Sequence, residues 1–184
     1  MRTIQTVRAA WLGRVPIFFA MSIQPKHDER HEYVSRLVWT GARKGPTSSY
    51  QGYSREHEFQ SAGKPRLALS ADPQFRGDVR LYNPEELLVM ALSSCHLLSY
   101  LAECARAGVH VVAYEDDATG VMTMRDGRLR FTEVVLRPRV TVAAGTNVDR
   151  ARELHHPAHD DCYIANSVNF PVRHEPTLVV ADAT

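Results

Sequence analysis

The 184-residue chain lacks an excess of charge of either sign, because 22 Lys and Arg residues stand against 21 Asp and Glu residues. It therefore has no broad basic field to hold a phosphate backbone, and we expect no nucleic-acid partner. The chain has only three cysteines, too few and too odd in number for the disulfide framework of a secreted protein. We expect a reducing, cytoplasmic location, where a cysteine pair serves redox chemistry or metal binding rather than structure.

Long uninterrupted apolar runs are also missing near the N terminus. Basic residues precede a short apolar patch there, but Arg14 and Pro16 interrupt it well below the ~18–20 apolar residues of a membrane span. We expect no membrane segment, and we interpret residues 1–30 as a weakly structured N-terminal extension. The hydrophobic content of the chain, 44%, predicts one domain with a sizeable core over residues 31–184.

The order of strand and helix patterns predicts an α+β fold with antiparallel sheet. Strand patterns fill the first third of the chain, up to a loop at 72–82. A long helix follows, because Asn83 is a preferred N-cap, Pro84 suits the first helical position and Glu86 can close a capping box. Gly108 is a natural stop for this helix.

Three further elements are predicted after the long helix. They are a hairpin over 109–144 with its turn at Asp126-Gly127, a broken helix over 147–168 and a strand over 171–180. The helix should break near His155, because Pro157 does not fit a helix interior, and a fresh turn should carry Cys162. Pro176 in the last segment indicates an edge strand.

Cys95 lies in the apolar stripe of the long helix, where an unpaired cysteine is most often a core residue. Two features favour chemistry instead: polar neighbours such as Ser93 and His96, and a second cysteine with polar neighbours, Cys162, in the later helix. Cys104 lies roughly 13 Å further along the same helix, beyond the ~7 Å between Cα atoms that a disulfide tolerates. We expect Cys104 to be structural.

The segments NPEELLVMALSSCHLLSYL and AHDDCYIANSVNFPV resemble the OsmC/Ohr family of osmotically inducible and organic-hydroperoxide-resistance proteins, in its OsmC-like branch. The resemblance implies an intertwined homodimer in which sheets wrap around two central helices. It also implies a thiol-dependent peroxidase for organic hydroperoxides in oxidative-stress defence, with Cys95 as peroxidatic thiolate and Cys162 as resolving thiol in an intramolecular disulfide. No cofactor and no metal are implied, and the reductant is a dithiol such as a lipoyl protein.

Two more site residues follow from this resemblance. The family uses a glutamate to position an arginine beside the thiolate, and Glu85 matches by its place in Asn-Pro-Glu-Glu. Glu85 lies ~15 Å from Cys95 along one helix, so the two meet only if Glu85 comes from the other subunit. Arg43, in the segment TGARKG, is the first choice for the arginine, with Arg55 and Arg76 as alternatives.

Two other classes of function stay open. His155, His156, His159 and Cys162 in HHPAHDDC combine imidazole and thiolate, a ligand set of the zinc type. The metal hypothesis requires these histidines to converge on Cys162, whereas the peroxidase hypothesis requires Cys162 to face Cys95. The third class is a dimeric protein without peroxidase activity that binds a small apolar ligand.

Overall fold

A computed structural model describes residues 30–182 of the chain. The predicted N-terminal extension, residues 1–30, lies outside these described residues apart from Arg30. The chain divides into two units, residues 1–34 and 35–184, and the account below concerns the second. Its helices and strands, in chain order, are β1 (Arg36–Val38), β2 (His57–Gln60), β3 (Leu67–Leu69), α1 (Pro84–Arg106), β4 (Val111–Asp116), β5 (Thr119–Arg125), β6 (Arg128–Leu136), β7 (Pro138–Val142), α2 (Val148–Glu153), α3 (His155–Asp160), β8 (Val172–His174) and β9 (Thr177–Val180).

The described strands form three sheets of three strands each, in the orders β1-β2-β3, β4-β7-β9 and β5-β6-β8. The N-terminal sheet is antiparallel throughout, as predicted. In the other two sheets β4 pairs antiparallel with β7, and β5 with β6, but β8 and β9 join at the edges in parallel. The prediction of an α+β fold with antiparallel sheet is confirmed. The two parallel pairings at the edges arise because the final strands return to their sheets through the α2–α3 crossover.

The predicted hairpin forms, but each of its arms is shared between two sheets. Asp126 and Gly127 make the turn with φ values of 50° and 74°, the left-handed conformation that a two-residue hairpin turn requires. The first arm bends between Asp116 and Thr119, and the second bends at Arg137. One half of each arm therefore lies in the β5-β6-β8 sheet and the other half in the β4-β7-β9 sheet.

The two bends, where the arms pass from one sheet to the other, form a crease between the sheets. Asp116 stabilises this crease. The backbone N–H of Arg137 donates to Asp116 Oδ1 at 2.7 Å, and the hydroxyl of Ser93 on α1 donates to Oδ2. Arg137 Nε also lies 3.2 Å from Glu175 Oε2, in the short link between β8 and β9. These contacts therefore connect the two sheets to each other and to α1 near Ser93.

The core consists of two apolar clusters that α1 supports along its buried side. The first contains Tyr100, Cys104, Val109, Val140, Val142, Ala151, Leu154 and Ala158, and the second contains Leu92, Val134 and Leu136. As the alternating pattern of the second arm predicts, Val134, Leu136, Val140 and Val142 are buried while Arg137 and Arg139 are exposed.

The predicted broken helix is two short helices, α2 and α3, separated by Leu154 alone. Pro157 falls in the first turn of α3, where a helix does not need its missing N–H, so the break lies just before His155. Cys162 lies two residues after Asp160, the last residue of α3, and is therefore outside the later helix to which the sequence assigned it. Asp161 N–H still makes the helical bond to Pro157 O at 2.9 Å, whereas Cys162 N–H closes a tighter turn on His159 O at 3.1 Å.

Candidate active site

Helix α1 begins with the capping box that its sequence predicts. Asn83 Oδ1 accepts a hydrogen bond from the N–H of Glu86 at 2.8 Å, and Glu86 Oε2 accepts one from the N–H of Asn83 at 3.0 Å. These reciprocal bonds satisfy two backbone donors that would otherwise lack partners at a helix start. They fix the position of the first turn, and through the rigid helix they fix that of Cys95.

The structure brings Cys95 and Cys162 together, although 67 positions separate them in the chain. Both are free thiols; Cys95 is half-buried, and Cys162 is only 1% exposed. Burial raises the pKa of the Cys162 thiol, and the neighbouring Cys95 thiol raises that pKa further. Cys162 is therefore a protonated thiol at neutral pH, facing the more accessible sulfur of Cys95.

The turn that carries Cys162 holds its sulfur in place. The backbone N–H groups of Ile164 and Ala165 interact with this sulfur, and Ser99 Oγ of α1 donates to Asp161 O at 3.4 Å. The second apolar cluster joins the same two segments, because Leu92, three residues before Cys95, packs in it with Ile164, two residues after Cys162. An apolar wall therefore adjoins the thiol pair.

Cys104 takes no part in this pair. It is buried in the first apolar cluster with its thiol against the Tyr100 hydroxyl, and Tyr100 in turn donates to Ala151 O at 3.0 Å. Burial raises the pKa of Cys104, which keeps the thiol protonated. Its position agrees with the expectation that Cys104 is structural.

Glu85 lies in the first turn of α1, away from Cys95 on the same chain. Its Oε2 atom is buried without a hydrogen-bond partner among the described residues. Glu85 and Arg55 line one cavity of about 290 Å³, whereas Arg43 and Arg76 do not line it and are exposed. Arg43 lies in a 3₁₀ turn, Thr40–Lys44. Within one chain, the structure therefore brings neither Glu85 nor the first-choice arginine to the thiol pair.

The side chain of Arg55 contacts the loop that precedes β2. Its guanidinium donates to the backbone oxygens of Tyr50 and Tyr53, at 2.5 Å each, and lies 3.8 Å from the centre of the Tyr53 ring. These contacts use one N–H of each terminal nitrogen and leave three of the five guanidinium N–H groups for another partner.

A wide groove of about 900 Å³ runs along another side of α1. Its walls include Val89, Met90 and Leu97 of α1 with Met122 and Phe131 of the β5-β6 hairpin. The groove also contains four carboxylates and no lysine or arginine; the carboxylates are Asp72, Glu85, Glu86 and Asp116. Cys95 does not line this groove, so the groove and the thiol pair are separate features of one chain.

Comparisons with known proteins identify the family of this chain. A family model described as OsmC-like protein matches residues 77–177, which is more than half of the chain and includes both Cys95 and Cys162. The chain belongs to the OsmC-like family. An OsmC-like protein of unknown function from Vibrio cholerae O1 biovar eltor is 32% identical, and the match covers 80% of this chain and 100% of that chain with a TM-score of 0.74.

More distant relatives of this OsmC-like protein carry other descriptions. The uncharacterized protein YmaD of Bacillus subtilis is 24% identical over 110 residues, which are 58% of this chain and 73% of YmaD. An organic hydroperoxide resistance protein from Elizabethkingia anophelis is 17% identical, with 83% of this chain and 100% of that chain covered and a TM-score of 0.60. The second likeness concerns the fold alone, which is the OsmC-like fold.

The histidines of HHPAHDDC do not converge on Cys162 in this OsmC-like protein. They surround His174 of β8, whose ring centre lies 5.3 to 5.8 Å from the ring centres of four other histidines. These are His96 of α1 and His155, His156 and His159 of α3. We call these five residues the histidine cluster. In the sequence His96 drew attention only as a polar neighbour of Cys95, and His174, which stands alone in an edge strand, was not predicted to take part.

Burial keeps the inner members of the histidine cluster neutral. It lowers the pKa of His96 to about 4 and that of His155 to about 3, with smaller contributions from neighbouring imidazoles. Burial also lowers the pKa of His174. Each of these three rings therefore has one protonated and one unprotonated nitrogen at neutral pH.

Proposed function

We propose that this OsmC-like protein is a thiol-dependent peroxidase that reduces organic hydroperoxides. The observation that carries the proposal is the contact between the half-buried sulfur of Cys95 and the buried thiol of Cys162. Cys95 is the nucleophile in this scheme, because a peroxide reaches its sulfur more readily and because Cys162 holds its proton. A nearby second thiol is what a sulfenic acid needs to become a disulfide.

The reaction balances with two thiols, one peroxide and one dithiol. The Cys95 thiolate attacks the terminal oxygen of the hydroperoxide, the O–O bond breaks, and the alcohol leaves with a proton. Cys95 is then a sulfenic acid, and the Cys162 sulfur displaces its oxygen as water to form the Cys95–Cys162 disulfide. An external dithiol, such as a lipoyl protein, returns two electrons and two protons and becomes a disulfide itself.

The apolar wall beside the thiol pair favours an organic over an inorganic peroxide. Leu88 and Leu92 of α1 pack there with Ile164 and Val168 from the segment after Cys162. Each methylene of a substrate buried against such a wall contributes about 0.8 kcal/mol. Three buried methylenes therefore favour an alkyl hydroperoxide over hydrogen peroxide by roughly fiftyfold, if the contact persists in the transition state.

Thiol counting tests this function directly. One equivalent of cumene hydroperoxide is expected to lower the number of free thiols from three to one per chain, and a dithiol should restore all three. Hydrogen peroxide at the same concentration should act more slowly. Three thiols unchanged after cumene hydroperoxide would refute the peroxidase, and would leave a ligand-binding protein as the alternative.

The protein is proposed to work as a homodimer, because α1 is poorly covered within one chain. By length and composition alone the helix could cross a membrane, a test that the core helices of soluble proteins also pass, and only 22% of its most apolar window is buried. Met90, Leu98 and Leu101 form an exposed apolar strip on one face, with Leu98 64% exposed. A second copy of α1 is the cover that an OsmC-like dimer would supply, beside the edge where Cys95 lies.

A charge placed in this strip is therefore expected to separate the subunits. Leu98→Lys should give a folded monomer at micromolar concentration, whereas the wild type should be a dimer, as measured by light scattering. Val112→Lys is the matched control, because Val112 is 58% exposed but lies on β4. A folded wild-type monomer under these conditions would contradict the dimer.

The dimer also gives Glu85 a role that one chain does not. A carboxylate oxygen buried without a partner is unfavourable, and a positive group from elsewhere would satisfy it. We propose that Glu85 of one subunit positions an arginine beside Cys95 of the other. Arg43 stays the first choice, because its side chain is exposed, whereas the guanidinium of Arg55 already donates two of its five N–H groups to Tyr50 and Tyr53.

Single substitutions identify this arginine. Arg43→Ala is expected to lower kcat/KM for cumene hydroperoxide by roughly a hundredfold, the usual cost of one group that stabilises charge in the transition state. Arg76→Ala tests one of the two alternatives and should keep full activity; a larger loss than that of Arg43→Ala would assign the role to Arg76. If Arg55→Ala remains folded and loses more activity than Arg43→Ala, the assignment to Arg43 is wrong.

A further inference from the structure

The carbonyl oxygens of Asp160 and Asp161, just before Cys162, receive hydrogen bonds from side chains alone. A helix leaves its last carbonyls without intrahelical partners, and α3 ends at Asp160. Within residues 30–182, no backbone N–H donates to either oxygen. The Asn166 side chain donates to the first oxygen and the Ser99 side chain to the second. The turn over residues 160–166, which we call the Cys162 turn, is therefore held by two side chains that take no direct part in the peroxide reaction.

Asn166 bonds to the Cys162 turn at two points. Its side-chain Nδ2 donates to Asp160 O at 2.7 Å, and its backbone N–H donates to Cys162 O at 3.0 Å. One residue therefore holds the backbone before the cysteine and the backbone at the cysteine. Asn166 is itself exposed, so a substitution there removes a hydrogen bond without opening the core.

Ser99 connects the Cys162 turn to helix α1. It follows Cys95 by one helical turn, on the same face of the helix. Its Oγ atom donates to Asp161 O at 3.4 Å, a long and therefore weak hydrogen bond. The helix that carries one thiol is thus bonded directly to the turn that carries the other. We expect Ser99 to contribute less than Asn166, because the side-chain bond of Asn166 is shorter.

We propose that Asn166 and Ser99 are positioning residues for the resolving thiol, which set the rate of disulfide formation and leave the attack on peroxide unchanged. The proposal rests on the peroxidase function proposed above. When the disulfide forms, the Cys162 sulfur bonds to the Cys95 sulfur, the S–O bond of the sulfenic acid breaks, and the hydroxide leaves with the thiol proton as water.

This step depends on the position of the Cys162 sulfur, which must lie in line with the S–O bond that breaks. A displacement of about 1 Å can slow such an intramolecular reaction roughly a hundredfold. The attack on peroxide involves the sulfur of Cys95 instead, which α1 holds in place. The two steps should therefore respond differently when the Cys162 turn loses a hydrogen bond.

Single-turnover kinetics separate the two steps. Asn166→Asp keeps the size of the side chain but loses the N–H donor, so it should consume the first equivalent of cumene hydroperoxide at the wild-type rate. It should then form the disulfide at least fivefold more slowly, a factor that corresponds to about 1 kcal/mol for one hydrogen bond. Asn166→Gln, which keeps the donor, should be less impaired, and Ser99→Ala should show a smaller slowing. Asn169→Asp is the matched control, because Asn169 is also exposed but lies beyond the turn.

Closure of the disulfide is also measurable without any peroxide. Cys95 should attack an aromatic disulfide reagent, releasing one coloured thiolate and keeping the other in a mixed disulfide. Cys162 then displaces the second thiolate, and the Cys95–Cys162 disulfide forms. In Asn166→Asp the first release should keep its rate, and the second should be at least fivefold slower than in the wild type.

Three results would overturn the positioning role. The first is a second release that is as fast in Asn166→Asp and Ser99→Ala as in the wild type. The second is an equal slowing of both releases with a lower melting temperature, which would indicate a general loss of structure. The third is a wild type that releases only one thiolate, because the pair would then not close. A wild type that releases both thiolates but does not consume cumene hydroperoxide would refute the peroxidase alone, and the second release would still decide the role of Asn166.

Discussion

Cys95→Ser is expected to abolish the consumption of organic hydroperoxide, lowering kcat/KM by roughly 10⁴-fold or more. A serine hydroxyl at this place does not ionise near neutral pH, so the attacking group is lost while the shape of the site is kept. Cys162→Ser should behave differently, because Cys95 still attacks the peroxide. It should consume one equivalent per chain, accumulate a sulfenic acid on Cys95, and then stop turning over with a dithiol reductant.

Cys104→Ser is the matched control for both variants. Cys104 is buried on the same helix and lies outside the Cys95–Cys162 pair, so its substitution should keep peroxide turnover even if it lowers stability. The measurements are peroxide consumption with a dithiol and trapping of the sulfenic acid with a dimedone-type reagent. Full activity of Cys95→Ser, or unimpaired turnover of Cys162→Ser, would contradict the assigned roles.

The second large effect is a loss of stability in mild acid that arises from the histidine cluster. Unfolded His96 and His155 bind protons below about pH 6.5, whereas in the folded state burial holds their pKa values at about 4 and about 3. Their contribution to stability is therefore complete above pH 6.5 and is lost as the pH falls toward 4 and then 3. For the two together the loss is on the order of 4 kcal/mol between pH 7 and pH 5.

Other charged groups around the inner pair modify this effect. They are His156, His159 and Asp160 of α3, Arg152 of α2 and His174 of β8. Arg152 and the neighbouring imidazoles oppose protonation of the inner rings, and Asp160 favours protonation of His174. The net direction stays the same, because burial is the largest cause for all three lowered pKa values.

Urea unfolding of the protein at several pH values between 4 and 7 measures this loss. His96→Gln should lower stability at pH 7 but flatten its dependence on pH by about one proton, or ~1.4 kcal/mol per pH unit. The exposed His110→Gln should leave the slope unchanged. A free energy of unfolding that is constant between pH 7 and pH 5 would show that these imidazoles are not held neutral.

The parts of the fold that depend on neighbouring residues were predictable from the sequence. The capping box of Asn83 and Glu86 and the turn at Asp126-Gly127 are local, and both form as predicted. The crease was not predictable, because alternation continues through Arg137 and nothing local shows that the strands change sheets there. That change depends on Asp116, whose partners Ser93 and Arg137 come from other elements.

The candidate site likewise combines features that were predictable from the sequence with features that were not. Polar neighbours in an apolar stripe drew attention to Cys95, and its contact with Cys162 follows from two packed elements that a sequence pattern could identify. The histidine cluster was misjudged, because grouping by sequence joined His155, His156 and His159 to the nearby Cys162. The fold instead joins them to His174, which lies on a strand beyond two intervening turns. No local signal marked His174 as a partner.

The way in which β8 and β9 finish the two sheets bears on the order in which the chain folds. Val172 pairs with Val134 and Leu178 pairs with Val140, so each final strand reaches back 38 positions to its parallel neighbour. Such long-range pairings form late in folding, because the intervening chain loses conformational entropy before the contact can stabilise the structure. Only Glu175 and Pro176 separate the two strands, so neither sheet is completed much before the other. We therefore expect the two sheets to fold and unfold in one step, and removal of residues 172–180 to take an edge strand from both at once.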